Sequence, residues 1–192
     1  GSGAGAIGIK NAIFCNGANM AYRRKVFLEL NSFGDDSVAS GDDVFLLHSV
    51  KEKYPNSITF AKDKNAIVLA KSMKNFNDFI NQRKRWVAKS SIYKDIASIY
   101  VSYLVFFANF FFVFLFFILF FNSSFIQFFI LFYVFKLIAD LFLISPVLSF
   151  FNRKDLIKWI FLFELFYSFY IILISVLSFT KKFEWKERIH KK

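Results

Sequence analysis

The sequence predicts an α/β soluble segment followed by about three transmembrane helices. Composition breaks near residue 95, with Lys, Arg, Asp and Asn throughout before it and long apolar runs after it. Aromatic residues make up 22% of the 192 residues, and most of the 31 Phe fall in those runs, which no water-soluble core of this size could hide. The first half alternates short helical and strand-like patterns broken by Gly, Pro and Asn. The expected division is 1–95 soluble, 96–180 transmembrane and 181–192 a basic tail.

The opening residues, Gly-Ser-Gly-Ala-Gly-Ala, lack the charged start and apolar core of a signal peptide. The first residue is not Met, and the expectation is a chain that begins inside a larger domain. Residues 12–15 read as a buried strand and Arg24–Leu30 as a short helix. Gly34-Asp35-Asp36 reads as a turn. Gly41-Asp42-Asp43 opens a helix through about Lys53, with Phe45, Leu46, Leu47 and Val50 apolar, and Pro55-Asn56 ends it. Stretches 57–60 and 66–70 read as paired strands, and 75–88 as a helix.

Three apolar stretches follow, at about 96–121, 125–150 and 159–179. Each is long enough to span, since about 20 residues cross a ~30 Å hydrocarbon core. Lys136 and Asp140 stand four apart, so they can pair on one helical face within the bilayer. Glu164 is expected in a packing contact, and Asn122-Ser123-Ser124 in a tight turn between spans. Charge bias raises a conflict. The loop Asn152-Arg153-Lys154-Asp155 and the tail from Lys181 are both basic and should both be cytoplasmic, which one span between them forbids.

The formal net charge of +11 divides evenly, with fifteen Lys/Arg against nine Asp/Glu up to residue 95 and ten against five beyond. Beside membrane spans, anionic lipid headgroups explain it, at about 1 kcal/mol per basic residue near the surface. Nucleic acid is not an expected partner, because no recognition motif accompanies the charge. The single cysteine, Cys15, excludes an intramolecular disulfide and a cysteine-based zinc site.

Two features carry chemistry. In Ser40-Gly41-Asp42-Asp43 the acidic pair falls in a first helical turn, where the macrodipole and free amides favour the ionised form. Such a carboxylate is a ready general base, and Asp in the same place is also an ordinary cap. In Gln82-Arg83-Lys84-Arg85-Trp86, the residues Gln82, Arg85 and Trp86 share a helical face at i, i+3 and i+4. The guanidinium fork suits phosphate oxygens and the indole a sugar face. A basic interfacial helix anchored by Trp on lipid headgroups is the other reading.

In order, the chain carries Asn16-Gly17-Ala18-Asn19-Met20-Ala21-Tyr22-Arg23-Arg24, the acidic pair, Q-R-K-R-W and then membrane helices. It thereby resembles the membrane-bound family-2 glycosyltransferases, the broad group of cellulose, chitin and hyaluronan synthases and many bacterial relatives. The resemblance covers about 11–95 by motif and the remainder by architecture. It implies a partial nucleotide-sugar glycosyltransferase domain of the GT-A-like kind. It also implies that Asp43 deprotonates the acceptor hydroxyl, with Asp42 supporting it where the family usually has Glu. Gln82 and Arg85 would hold the nucleotide diphosphate, Trp86 would lie under the acceptor sugar, and Asn19 and Arg23 would form the acceptor-side wall.

The implied partners are a nucleotide-sugar donor, a saccharide or lipid-linked acceptor, and membrane lipids. The implied cofactor is Mg²⁺ or Mn²⁺ bound by an Asp-x-Asp motif, and no Asp-x-Asp occurs in these residues. The expectation is therefore a C-terminal fragment without the donor-binding half, inactive alone, from an inverting hexosyltransferase of polysaccharide biosynthesis. It would sit in the bacterial cytoplasmic membrane with its catalytic part facing the cytoplasm. The alternatives are a non-enzymatic membrane module, such as a transporter subunit or scaffold, and a degenerate sugar-binding relative.

Overall fold

The computed structural model describes residues 1–30, 42–90, 92–178, 182–185 and 188–191. The expected turn at Gly34-Asp35-Asp36, and Ser40-Gly41 of the acidic motif, lie outside the described residues. Seven helices are described: α1 Ser2–Gly8, α2 Arg24–Leu30, α3 Asp42–Lys53, α4 Phe76–Ser90, α5 Ile96–Ile118, α6 Ile126–Phe150 and α7 Ile157–Ser178. A hairpin of β1 Lys182–Trp185 and antiparallel β2 Arg188–Lys191 follows, with Lys182 opposite Lys191. The chain divides into two compact units, one of Gly1 and Val101–Leu177, the other of Ser2–Tyr100 and Ser178–Lys192.

The α/β expectation is overturned. The one sheet among the described residues is the C-terminal hairpin, and none of the three strands expected in the first half forms. The physical reason is the want of a neighbour to complete a ladder. Ala12 and Ile13 are buried, as a core strand requires, but the Ile13 carbonyl is taken by side chains instead. In the other two stretches Phe60, Val68 and Leu69 are exposed, and Lys64–Ala66 coils into a short 3₁₀ turn capped by Asp63.

The helices start and stop for local reasons. Asp42 and Asp43 occupy the first turn of α3 and Lys51 and Lys53 the last, each sign facing the end of the macrodipole that favours it. Val44, Leu46 and Leu47 are its buried face. Glu29 on α2 accepts from the Tyr54 hydroxyl at 2.7 Å and pairs with Lys53 at 2.7 Å, tying α2 to the far end of α3. Asp95 precedes α5 and accepts the Ser98 N–H at 2.8 Å, so it caps that helix, and it also pairs with Lys51 of α3.

In the other unit, α5, α6 and α7 are each long and apolar enough to cross a membrane. Ring contacts join α5 to α6, including Phe111 to Phe132 at 5.1 Å and Phe112 to Phe129 at 5.0 Å. Polar groups are turned inward. Ser168 on α7 donates to Asn109 on α5 at 2.9 Å, and both are buried. Lys136 pairs with Asp140 at 3.0 Å and with Glu164 across the α6–α7 contact. Asn122-Ser123-Ser124 forms the turn into α6, with the Asn122 side chain accepting the Ser124 N–H at 3.0 Å.

Candidate functional site

Asp43 is the focus of the unit that holds Ser2–Tyr100. Its Oδ1 accepts the N–H of Val44 at 2.9 Å and its Oδ2 the N–H of Gly17 at 2.9 Å. Two amides thus hold the two oxygens and leave lone pairs on each. Gly17 begins the 3₁₀ turn Gly17–Asn19, closed by the Asn16 side chain accepting from Ala18 N–H. A Cβ on residue 17 would lie 3.1 Å from Asp43 Oδ2 and 3.3 Å from the Asp43 Cβ, so any other residue would push the carboxylate side chain aside.

Three other side chains feel this carboxylate. The Cys15 thiol donates to the Asp43 backbone carbonyl at 3.2 Å, and burial, then the Asp43 charge, pushes it up to about 12. Tyr93 is also pushed up to about 12, by burial first and by Asp43 second. On α4, partial burial lowers the Arg85 guanidinium from its ordinary value, and the Asp43 charge opposes that shift. A carboxylate held by two amides and coupled electrostatically to a half-buried guanidinium can take a proton from a hydroxyl while a cation stabilises developing negative charge.

The remaining expected site residues are distributed around this centre. Asp42 is exposed in the same first turn. Asn19 donates its amide to the Ala66 carbonyl, which joins the Gly17–Asn19 turn to the 64–66 turn. Arg23 is exposed at the start of α2. Gln82 is half-buried on α4, and Trp86 is 45% exposed there. The Arg83 guanidinium is stacked 4.4 Å from the Trp86 ring and 4.8 Å from that of Phe79, so it braces the indole from within the helix.

Sequence reasoning did not single out Gly17, His48 or Tyr93. Asn16-Gly17 was readable as a turn, but its amide donation to Asp43 was not. His48 lies on α3 with Nε2 2.9 Å from the Ile13 carbonyl and 3.1 Å from Ser98 Oγ, and the Tyr93 ring meets it edge-on at 5.3 Å. Among the described residues no three of His, Cys, Asp and Glu gather as a metal-binding set. The divalent cation that the family resemblance implies would share its coordination with the donor phosphates and so needs only one or two carboxylates from the protein.

The family model described as glycosyl transferase family group 2 matches residues 3–181. The chain belongs to this family. Neither the curated proteins nor the solved structures provide a match to it. Membership of glycosyl transferase family group 2 makes sugar transfer the relevant chemistry, with a sugar donor and an acceptor. The three membrane-capable helices of this family member are consistent with contact with lipid.

Proposed function

We propose that this glycosyl transferase moves a hexose from a nucleotide-sugar donor to a saccharide or lipid-linked acceptor, with inversion, at the cytoplasmic face of a bacterial inner membrane. The observation that carries the reading is the Asp43 carboxylate, held by the Gly17 and Val44 amides and coupled electrostatically to Arg85. In this reaction the acceptor hydroxyl oxygen bonds to the anomeric carbon as that carbon's bond to the nucleoside diphosphate breaks. The hydroxyl proton passes to Asp43. Gln82 and Arg85 hold the departing diphosphate, Trp86 supports the acceptor ring, Asn19 and Arg23 line the acceptor side, and Asp42 tunes the surroundings of the base. The divalent cation, Mg²⁺ or Mn²⁺, would neutralise the diphosphate from ligands outside the described residues.

The test is steady-state kinetics on the full-length protein. Asp43→Asn should lower kcat by about 10²–10⁴ while donor affinity stays near normal, because general-base loss costs about that much. Asp42→Asn should hurt less. Arg85→Ala should weaken donor binding roughly tenfold to a hundredfold, the loss of a charge-assisted contact of about 1.5–3 kcal/mol. Were Asp43 only a helix cap, Asn would serve as well and turnover would be unchanged. Full turnover in Asp43→Asn removes the assignment.

A further inference from the structure

Resting on the reading of Asp43 as the base, we propose that segment 13–17 is a positioning element for that carboxylate: Gly17 delivers an amide to it, and His48 holds the segment in place. The segment belongs to no sheet, so no ladder fixes where its backbone lies. Its backbone is tied to α3 at both ends. At one end the Ile13 carbonyl lies 2.9 Å from His48 Nε2. A carbonyl only accepts, so Nε2 carries the hydrogen. The same carbonyl takes a second contact from the buried Ser98 hydroxyl at 2.9 Å. At the other end the Cys15 thiol donates to the Asp43 carbonyl, and Gly17 N–H reaches Asp43 Oδ2.

His48 and Asp43 are on the same helix, so α3 grips the segment at Ile13 and is gripped by it at Asp43. The charged and titratable groups facing Asp43 are Arg85 from α4, Cys15 from the segment and Tyr93 from the stretch before α5. Those facing His48 are Tyr93 directly, and Asp95 and Lys51 through Ser98. The Gly17 amide fixes where Asp43 Oδ2 lies, so releasing it misplaces the oxygen that must meet the acceptor.

The experiment measures kcat and donor KM for the full-length protein and for Gly17→Ala, His48→Leu and His48→Gln. Glutamine can offer an uncharged N–H about where the imidazole Nε2 lies, so it serves as the rescue variant. We expect Gly17→Ala and His48→Leu to lower kcat roughly tenfold with donor KM unchanged, and His48→Gln to behave as wild type. Should Gly17→Ala fail to fold, the two His48 variants decide. An unchanged kcat in His48→Leu overturns the proposal. So does equal impairment in His48→Leu and His48→Gln, or loss of donor affinity together with turnover in His48→Leu. Asp43→Asn tells the base from its positioning: full turnover there sinks the base assignment, whereas its inactivity beside an unchanged kcat in His48→Leu sinks only the positioning role.

Discussion

Cys15 shows how strongly one residue can report on its surroundings. An ordinary thiol is half-ionised around 9.0, but burial and the neighbouring Asp43 charge push this one up to about 12. The neutral thiol is the form that the folded state favours. Its stabilisation is complete below the unfolded value and is lost as pH rises toward the folded one, so the pertinent window is about 9 to about 12. Iodoacetamide at the lower edge of that window should label Cys15 slowly in the folded protein and quickly in urea, read by mass spectrometry. Rapid labelling of the folded protein would contradict the burial. Legibility at this scale divides by range. Asp43 and Arg85 stand in short motifs that a local pattern can mark, whereas Gly17 and His48 meet partners 26 and 35 residues away. No local pattern encodes such a contact.

Elements were legible where their stabilisation is local. Arg24–Leu30 and the α3 helix form where the sequence places them, and in α3 an acidic start and a basic end complement the dipole. The missed strands fail on a non-local condition, since an extended stretch becomes a strand only when another completes its ladder. The start of α5 offers a measurable case. Asp95 caps it through Ser98 N–H and also pairs with Lys51, whose side chain is 21% exposed against 14% for Asp95. Asp95→Ala should lower stability by at least the ~1 kcal/mol of a lost cap, with the stranded Lys51 charge adding to it. Asp95→Asn should retain the cap and lose only the pairing. Thermal unfolding in detergent compares them, and equal midpoints for wild type and Asp95→Ala would remove the cap from the account.

For the whole molecule, the gathering of residues 2–100 and 178–192 into one unit bears on the charge conflict between the loop at 152–155 and the tail. These stretches flank the three apolar helices, and parity follows. Flanks on one side of a bilayer mean an even number of crossings and flanks on opposite sides an odd number, so their sidedness counts the crossings among α5, α6 and α7. If all three cross, the basic loop and the basic tail face opposite sides; if α5 and α6 alone cross, both face the starting side, as positive residues on the cytoplasmic side require. In the second case α7, an unbroken helix over Ile157–Ser178, lies along the membrane rather than through it. Single cysteines at positions 10, 123, 154 and 182, in a Cys15→Ser background, would be probed with an impermeant maleimide on sealed vesicles. Positions 10, 154 and 182 should label from one side and 123 from the other, and opposite sidedness of 10 and 182 would restore the odd count.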